Sequence, residues 1–136
     1  MKARPKIGTT GELTFQIEAR HAIDFADGGM PAVLSTPNLV GFLERTARET
    51  LASCLDDGER SVGIEIELRH LAPTPVGHTV HCTARVVGTE GREVTFQVDA
   101  RDQSELIARG LHVRGVIRVE SFAKRVREKT ASTTSS

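Results

Sequence analysis

Cysteine is scarce in this chain: Cys54 and Cys82 stand far apart, with neither a Cys-x-x-Cys pair nor a Cys/His ligand spacing around them. Two isolated cysteines of this kind read as reduced thiols, so neither a disulfide nor a structural zinc is expected. Charge of one sign is also lacking, since 18 Lys and Arg balance 18 Asp and Glu. Without a global field there is no electrostatic case for nucleic acid or an acidic membrane surface as a partner. Long apolar runs are missing too. None approaches the ~20 residues of a membrane span, and the opening MKARPKIGTTGEL lacks the apolar core of a signal peptide. The expectation is a cytoplasmic protein. Finally, no glycine-rich phosphate loop and no metal-ligand cluster is legible, so neither a metal nor a bound cofactor is expected.

What is there is enough for one core and too little for two: 136 residues, 38% of them hydrophobic. We place a single domain at 1–123 and read 124–136, basic and then Ser/Thr-rich, as a frayed C-terminal tail. Residues 7 to 18 set Leu13, Phe15 and Ile17 against Glu12, Thr14, Gln16 and Glu18, the alternation of a first strand. The pattern then breaks over residues 20–34, where Asp27, Gly28, Gly29 and Pro31 mark an irregular connection, either a lid over a site or a plain loop. Thr36 suits a helix N-cap and Pro37 the first helical position. Leu39, Val40, Leu43, Ala47, Leu51 and Leu55 follow at helical spacing, predicting one long helix that ends near Asp57 and Gly58.

Four alternating runs come next. Val62, Ile64, Ile66, Leu68 and His70 share one face, opposite Gly63, Glu65, Glu67 and Arg69. The later runs group Val80, Cys82, Ala84 and Val86, then Val94, Phe96, Val98 and Ala100, then Ile107, Leu111, Val113, Ile117 and Val119. A sheet with one apolar face and a single helix with a broad apolar surface must cover each other. The predicted fold is therefore α+β: an antiparallel sheet, four of its strands in a meander, wrapped around one long central helix, which is the hotdog arrangement. Its open strand edges predict pairing with a second copy, giving a homodimer or a dimer of dimers.

Three residues stand out chemically. His70 closes its strand on the apolar side, where an imidazole can act as a base, an orienter or a hydrogen-bond donor, or be a core histidine satisfied by one carbonyl. Glu44 borders the apolar stripe of the helix, where a carboxylate needs either a partner, such as Arg48 at i+4, or a function. Thr36 explains itself as an N-cap, yet that position also lies beside the free N–H groups and positive dipole end that stabilise an oxyanion. His21, His78, His81 and His112 belong to no comparable constellation and read as surface or strand residues.

STPNLVGFLE at 35–44, followed by SVGIEIELRHLAPTPVG with His70 twenty-six positions after Glu44, resembles the hotdog acyl-CoA thioesterases related to fluoroacetyl-CoA thioesterase. The similarity runs on through TEGREVTFQVDA and ESFAKRVREKT. It implies a catalytic set of Thr36, Glu44 and His70, with Gly63, Arg114 and Met30 at substrate-binding positions. Pro31 matches the family's proline before the helix. Met30 takes the place of an aromatic lid residue, and the connection preceding it is shorter, which leaves the acyl group open. The implied reaction is hydrolysis of an acyl-CoA thioester to free acid and coenzyme A, with coenzyme A as part of the substrate and no separate cofactor. Lys124, Arg125, Arg127 and Lys129 could meet its phosphates or be a solvated tail. Competing readings are a non-catalytic acyl-CoA-binding hotdog protein and an enoyl-CoA hydratase- or dehydratase-like enzyme. Thr36 and Glu44 lie eight residues apart, about 12 Å along a straight helix. A second subunit is therefore expected to supply one of them to a shared site.

Overall fold

The computed structural model describes residues 1–23 and 28–134. Strand β1 (Thr10–Gln16) is followed by a short 3₁₀ turn at Ala19–His21 and by helix α1 (Thr36–Ala52). Then come β2 (Glu59–His70), β3 (Thr79–Glu90), β4 (Glu93–Arg101), β5 (Leu106–Arg118) and a second helix, α2 (Val119–Thr134). All strand pairs are antiparallel, in the order β1-β3-β4-β5-β2. The expected α+β hotdog architecture is present, with one change of topology. Only β3, β4 and β5 form a meander, because α1 carries the chain across the sheet and sets β2 down beside β5, at the edge opposite β1.

The core lies between α1 and the sheet. Leu39, Leu43, Ala47 and Leu51 recur on one side of α1 and are fully buried, as are Val80, Cys82 and Ala84 of β3 and Val94, Phe96, Val98 and Ala100 of β4. These strands follow the alternation read from sequence, because their inner faces are purely apolar. Phe15 of β1 stacks on Phe42 of α1 with ring centroids 4.3 Å apart, closing that side of the core.

Elsewhere the structure departs from the expectations. Helix α1 is capped by Ser35, whose side chain accepts from the Asn38 N–H at 3.3 Å, so Thr36 is the first helical residue and Pro37 the second. The helix ends at Ala52, well before Gly58. Residues 124–134, expected to fray, continue the helix begun at Val119. Within 20–34, the β-bridges Ala22↔Leu34 and Val33↔Pro75 pin both sides of the connection, while Asp27 lies outside the described residues.

Two strand faces are also reassigned. On β2 the pairing runs Gly63↔Arg114 and then Glu65↔Val113, so Ile64 is an extra residue without its own partner. Such a bulge flips the parity of a strand. Before it, Glu59 and Ser61 point inward and are buried; after it, the half-buried Ile66, Leu68 and His70 do, and Ile64 is left 52% exposed. Gly63 thus faces α1, on the same side as His70. On β5 the inward residues are Ala108, Gly110, His112, Arg114 and Val116, whereas Leu111, expected in the core, is 45% exposed. His112 and Arg114 take inward positions that a reading by hydrophobicity gave to Leu111 and Val113, while Ile107 is buried as expected. Gly110 is required there, because a Cβ would run into the backbone carbonyl of Glu67 on β2.

Candidate active site

The start of α1 and the end of β2 meet in one polar pair. Since Ser35 does the capping, the Thr36 hydroxyl is released from that duty and lies 2.8 Å from His70 Nδ1. The other ring nitrogen of His70, Nε2, is buried and has no hydrogen-bond partner among the described residues. Burial pushes the imidazole below its ordinary pKa, opposed only in part by the Ala72 backbone. His70 is accordingly neutral near pH 7, with Nδ1 beside the Thr36 hydroxyl. An open cleft of about 240 Å³ adjoins the pair, walled by apolar side chains that include Ile23, Val33, Leu34 and Leu71. Met30 is 57% exposed and does not line this cleft.

A second cluster forms two helical turns further along α1. Glu44 turns toward the sheet, with Oε2 3.5 Å from Arg114 Nη1, rather than along the helix to Arg48. Arg114, a substrate-binding position by the family resemblance, is only 4% exposed. Its Nε donates to Ser61 Oγ at 2.8 Å, its Nη2 to the Ser61 carbonyl at 2.9 Å, and its Nη1 lies 3.2 Å from His112 Nε2. Burial lowers the arginine pKa, and the Glu44 carboxylate opposes that shift; the guanidinium stays charged. Gly63 completes the cluster. A Cβ built on it would stand 2.5 Å from Glu44 Oε2 and 3.5 Å from His112 Cε1, so the missing side chain is the notch into which the carboxylate fits.

Of the six residues expected at the site, Thr36 and His70 are therefore brought together, as are Glu44, Gly63 and Arg114, but the two groups lie against different turns of α1. Met30 joins neither. Sequence reading missed Ser61 and His112. The signal for His112 was available: it lies two residues before Arg114 and so shares its face of β5. Among the described residues, no group of three His, Cys, Asp or Glu side chains is arranged to hold a metal ion, and no helix is long and apolar enough to cross a membrane.

Comparison with known proteins now decides the family. Residues 14–120 match the family described as fluoroacetyl-CoA-specific thioesterase. The chain belongs to that family. It is 39% identical over 107 residues to the fluoroacetyl-CoA thioesterase of Streptantibioticus cattleyicolor, covering 79% of this chain and 76% of the relative. A crystal structure of a single-substitution mutant of the fluoroacetyl-CoA-specific thioesterase superposes with a TM-score of 0.86 at 32% identity, covering 94% of this chain and 99% of the other. A Thermus thermophilus member of the thioesterase superfamily gives a TM-score of 0.84 at 26% identity over 96% and 99% of the two chains. The mutant enzyme has also been crystallised with fluoroacetate and coenzyme A, and that complex matches with a TM-score of 0.80 at 31% identity, over 87% of this chain and 99% of the other.

Proposed function

We propose that the two clusters act together on one acyl-CoA thioester and release a free acid and coenzyme A. Membership of the fluoroacetyl-CoA-specific thioesterase family carries the class of reaction. The division of labour is our reading of the geometry. Water attacks the acyl carbonyl carbon, Glu44 takes its proton, the carbon–sulfur bond breaks, and that proton passes to the departing thiolate, giving free coenzyme A and regenerating the Glu44 carboxylate. Thr36 and His70 flank the carbonyl at the positive end of the α1 dipole, where an oxyanion is favoured. The observation that carries the reading is the buried, unpartnered Nε2 of His70 beside a Thr36 hydroxyl held on Nδ1. Buried polar atoms find partners, and the His70 ring lines an apolar cleft suited to an acyl chain.

A homodimer is part of the same reading. Strand β2 is an edge of the sheet and bears both Gly63 and His70. Antiparallel two-fold pairing along β2, centred near Ile66, would set His70 of one copy beside Gly63 of the other. Thr36 and His70 from one chain would then face Glu44 from the second, which removes the ~12 Å separation along α1. A cytoplasmic location fits two free thiols, Cys54 and Cys82.

The test is coenzyme A release from a panel of short, branched, aromatic and long acyl-CoAs, measured for the native chain and for Glu44→Gln. The amide keeps the shape of the carboxylate but cannot take the proton, so substrate binding should persist while single-turnover hydrolysis is lost. Unchanged hydrolysis by a folded Glu44→Gln would remove Glu44 from the chemistry. Tight acyl-CoA binding with no release from any thioester would favour the non-catalytic reading.

A further inference from the structure

The acyl-CoA reading gives a task to Glu44 but leaves unexplained a buried histidine behind it. His112 is 1% exposed, on the inner face of β5, in a fold whose inner face is otherwise mostly apolar. Its Nδ1 lies 2.8 Å from the backbone carbonyl of Glu65. A carbonyl can only accept, so Nδ1 carries the proton and Nε2 presents a lone pair. That lone pair faces Arg114 Nη1 at 3.2 Å. Protonation would turn the acceptor into a second donor against a cation, and burial holds the ring below its ordinary pKa, with Arg114 adding to the effect.

The consequence is geometric. Ser61 grips one edge of the guanidinium, through Nε and Nη2. The remaining nitrogen, Nη1, is the one that faces the Glu44 carboxylate, and His112 is what it rests on. The same imidazole also walls the notch at Gly63, since a Cβ placed there would lie 3.5 Å from His112 Cε1. The bulge at Ile64 makes this possible by turning Ser61 and Gly63 inward, to the side on which His112 and Arg114 point. We infer that His112 is a positioning residue for the hydrolysis: locked as an acceptor by the Glu65 carbonyl, it fixes Arg114 so that Nη1 seats the Glu44 carboxylate in the Gly63 notch. This rests on the reading of Glu44 as the acting carboxylate.

The two amide residues separate positioning from packing. His112→Gln keeps an acceptor near Nε2, and His112→Asn keeps only a donor near Nδ1. Both variants, Arg114→Ala, the double variant His112→Asn/Arg114→Ala and Glu44→Gln would be assayed for kcat, KM and thermal midpoint with one accepted acyl-CoA. His112→Asn should lose about 10- to 100-fold in kcat with KM little changed, as expected when a reacting group is displaced by about 1 Å. His112→Gln should recover most of that loss. The double variant should be no slower than Arg114→Ala alone, because His112 acts through Arg114. Equal activity of folded Gln and Asn variants, whether high or low, would overturn the inference, as would losses that multiply with Arg114→Ala. Should His112→Asn fail to fold, a folded His112→Gln with kcat reduced as far as that of Arg114→Ala would overturn it equally. The parallel Glu44→Gln result separates the two ideas: full turnover there removes the acting carboxylate and the inference with it, whereas an inactive Glu44→Gln beside a fully active His112→Asn removes only the role of His112.

Discussion

Gly63→Ala tests the seat of Glu44 with the smallest change the chain allows. The new Cβ would stand 2.5 Å from Glu44 Oε2, while ordinary van der Waals contact begins at 3.4 Å. The oxygen must therefore retreat by about 0.9 Å, and the clashing atom is the far end of a flexible side chain, so the fold can yield there without moving backbone. Glu44 is 41% exposed along its side chain, which gives it room to swing outward. The thermal midpoint should change little. Activity should not, since a displacement of this size at a reacting group costs on the order of 100-fold. The control is Gly110→Ala, where the new methyl meets the backbone of Glu67 instead. That substitution has to push β2 and β5 apart and should lower stability sharply. The measurements are kcat/KM for an accepted acyl-CoA and thermal unfolding of both variants. A stable Gly63→Ala with native kcat/KM would show that the carboxylate need not occupy the notch and would refute the reasoning.

Two further outcomes follow from the charged and titrating groups. His70→Ala should fold and lose roughly 10²- to 10⁴-fold in the chemical step; because burial depresses the native imidazole below 6.5, the neutral form persists to lower pH, and the acid limb of kcat/KM should fall below 6.5 and vanish in the variant. Glu59, buried at the start of β2, is held down to about 2 by the Asp56 N–H, by the Met1 amino group at 2.9 Å and by Arg92 at 2.7 Å. A carboxylate depressed on folding stabilises above its unfolded pKa of about 4.3, so the stability advantage of the native chain over Glu59→Gln should shrink as pH falls from there toward 2, as read from thermal midpoints across that range.

The parts of the fold legible in the sequence are those where chemistry and pattern agree. Strands β3 and β4 carry apolar residues at every inward position, and α1 carries an apolar stripe broken only at Thr46 among its buried residues, so period alone placed them. On β5 the site itself occupies the inner face, and a reading by hydrophobicity chose Leu111 and Val113 over His112 and Arg114. The bulge at Ile64 left no mark in composition, because Ile64 is as apolar as the residues that do face inward, and its effect on Gly63 is visible only through the pairing with β5. Thr36, Glu44 and His70 were singled out through their spacing in a known family, and the local reading of Thr36 as the cap was displaced by Ser35, which offers an equally good hydroxyl one position earlier. The helical nature of residues 124–134 was hidden by their polarity, since only Val119, Phe122 and Val126 supply an apolar stripe on α2, and all three are substantially exposed.

The central claim, that Thr36 and His70 of one copy work with Glu44 of another, is tested most directly by mixing two inactive variants. His70→Ala and Glu44→Gln would be unfolded together and refolded in equal amounts, or co-expressed, and the mixture assayed for coenzyme A release with its mass followed by light scattering. If the site is shared, half of the dimers are mixed, and each mixed dimer pairs an intact His70 from one chain with an intact Glu44 from the other at one of its two sites. The account predicts a dimeric mass and recovery of about a quarter of native activity, with each variant alone inactive. A stable monomer with full native activity, or a mixed dimer that recovers none, would contradict it.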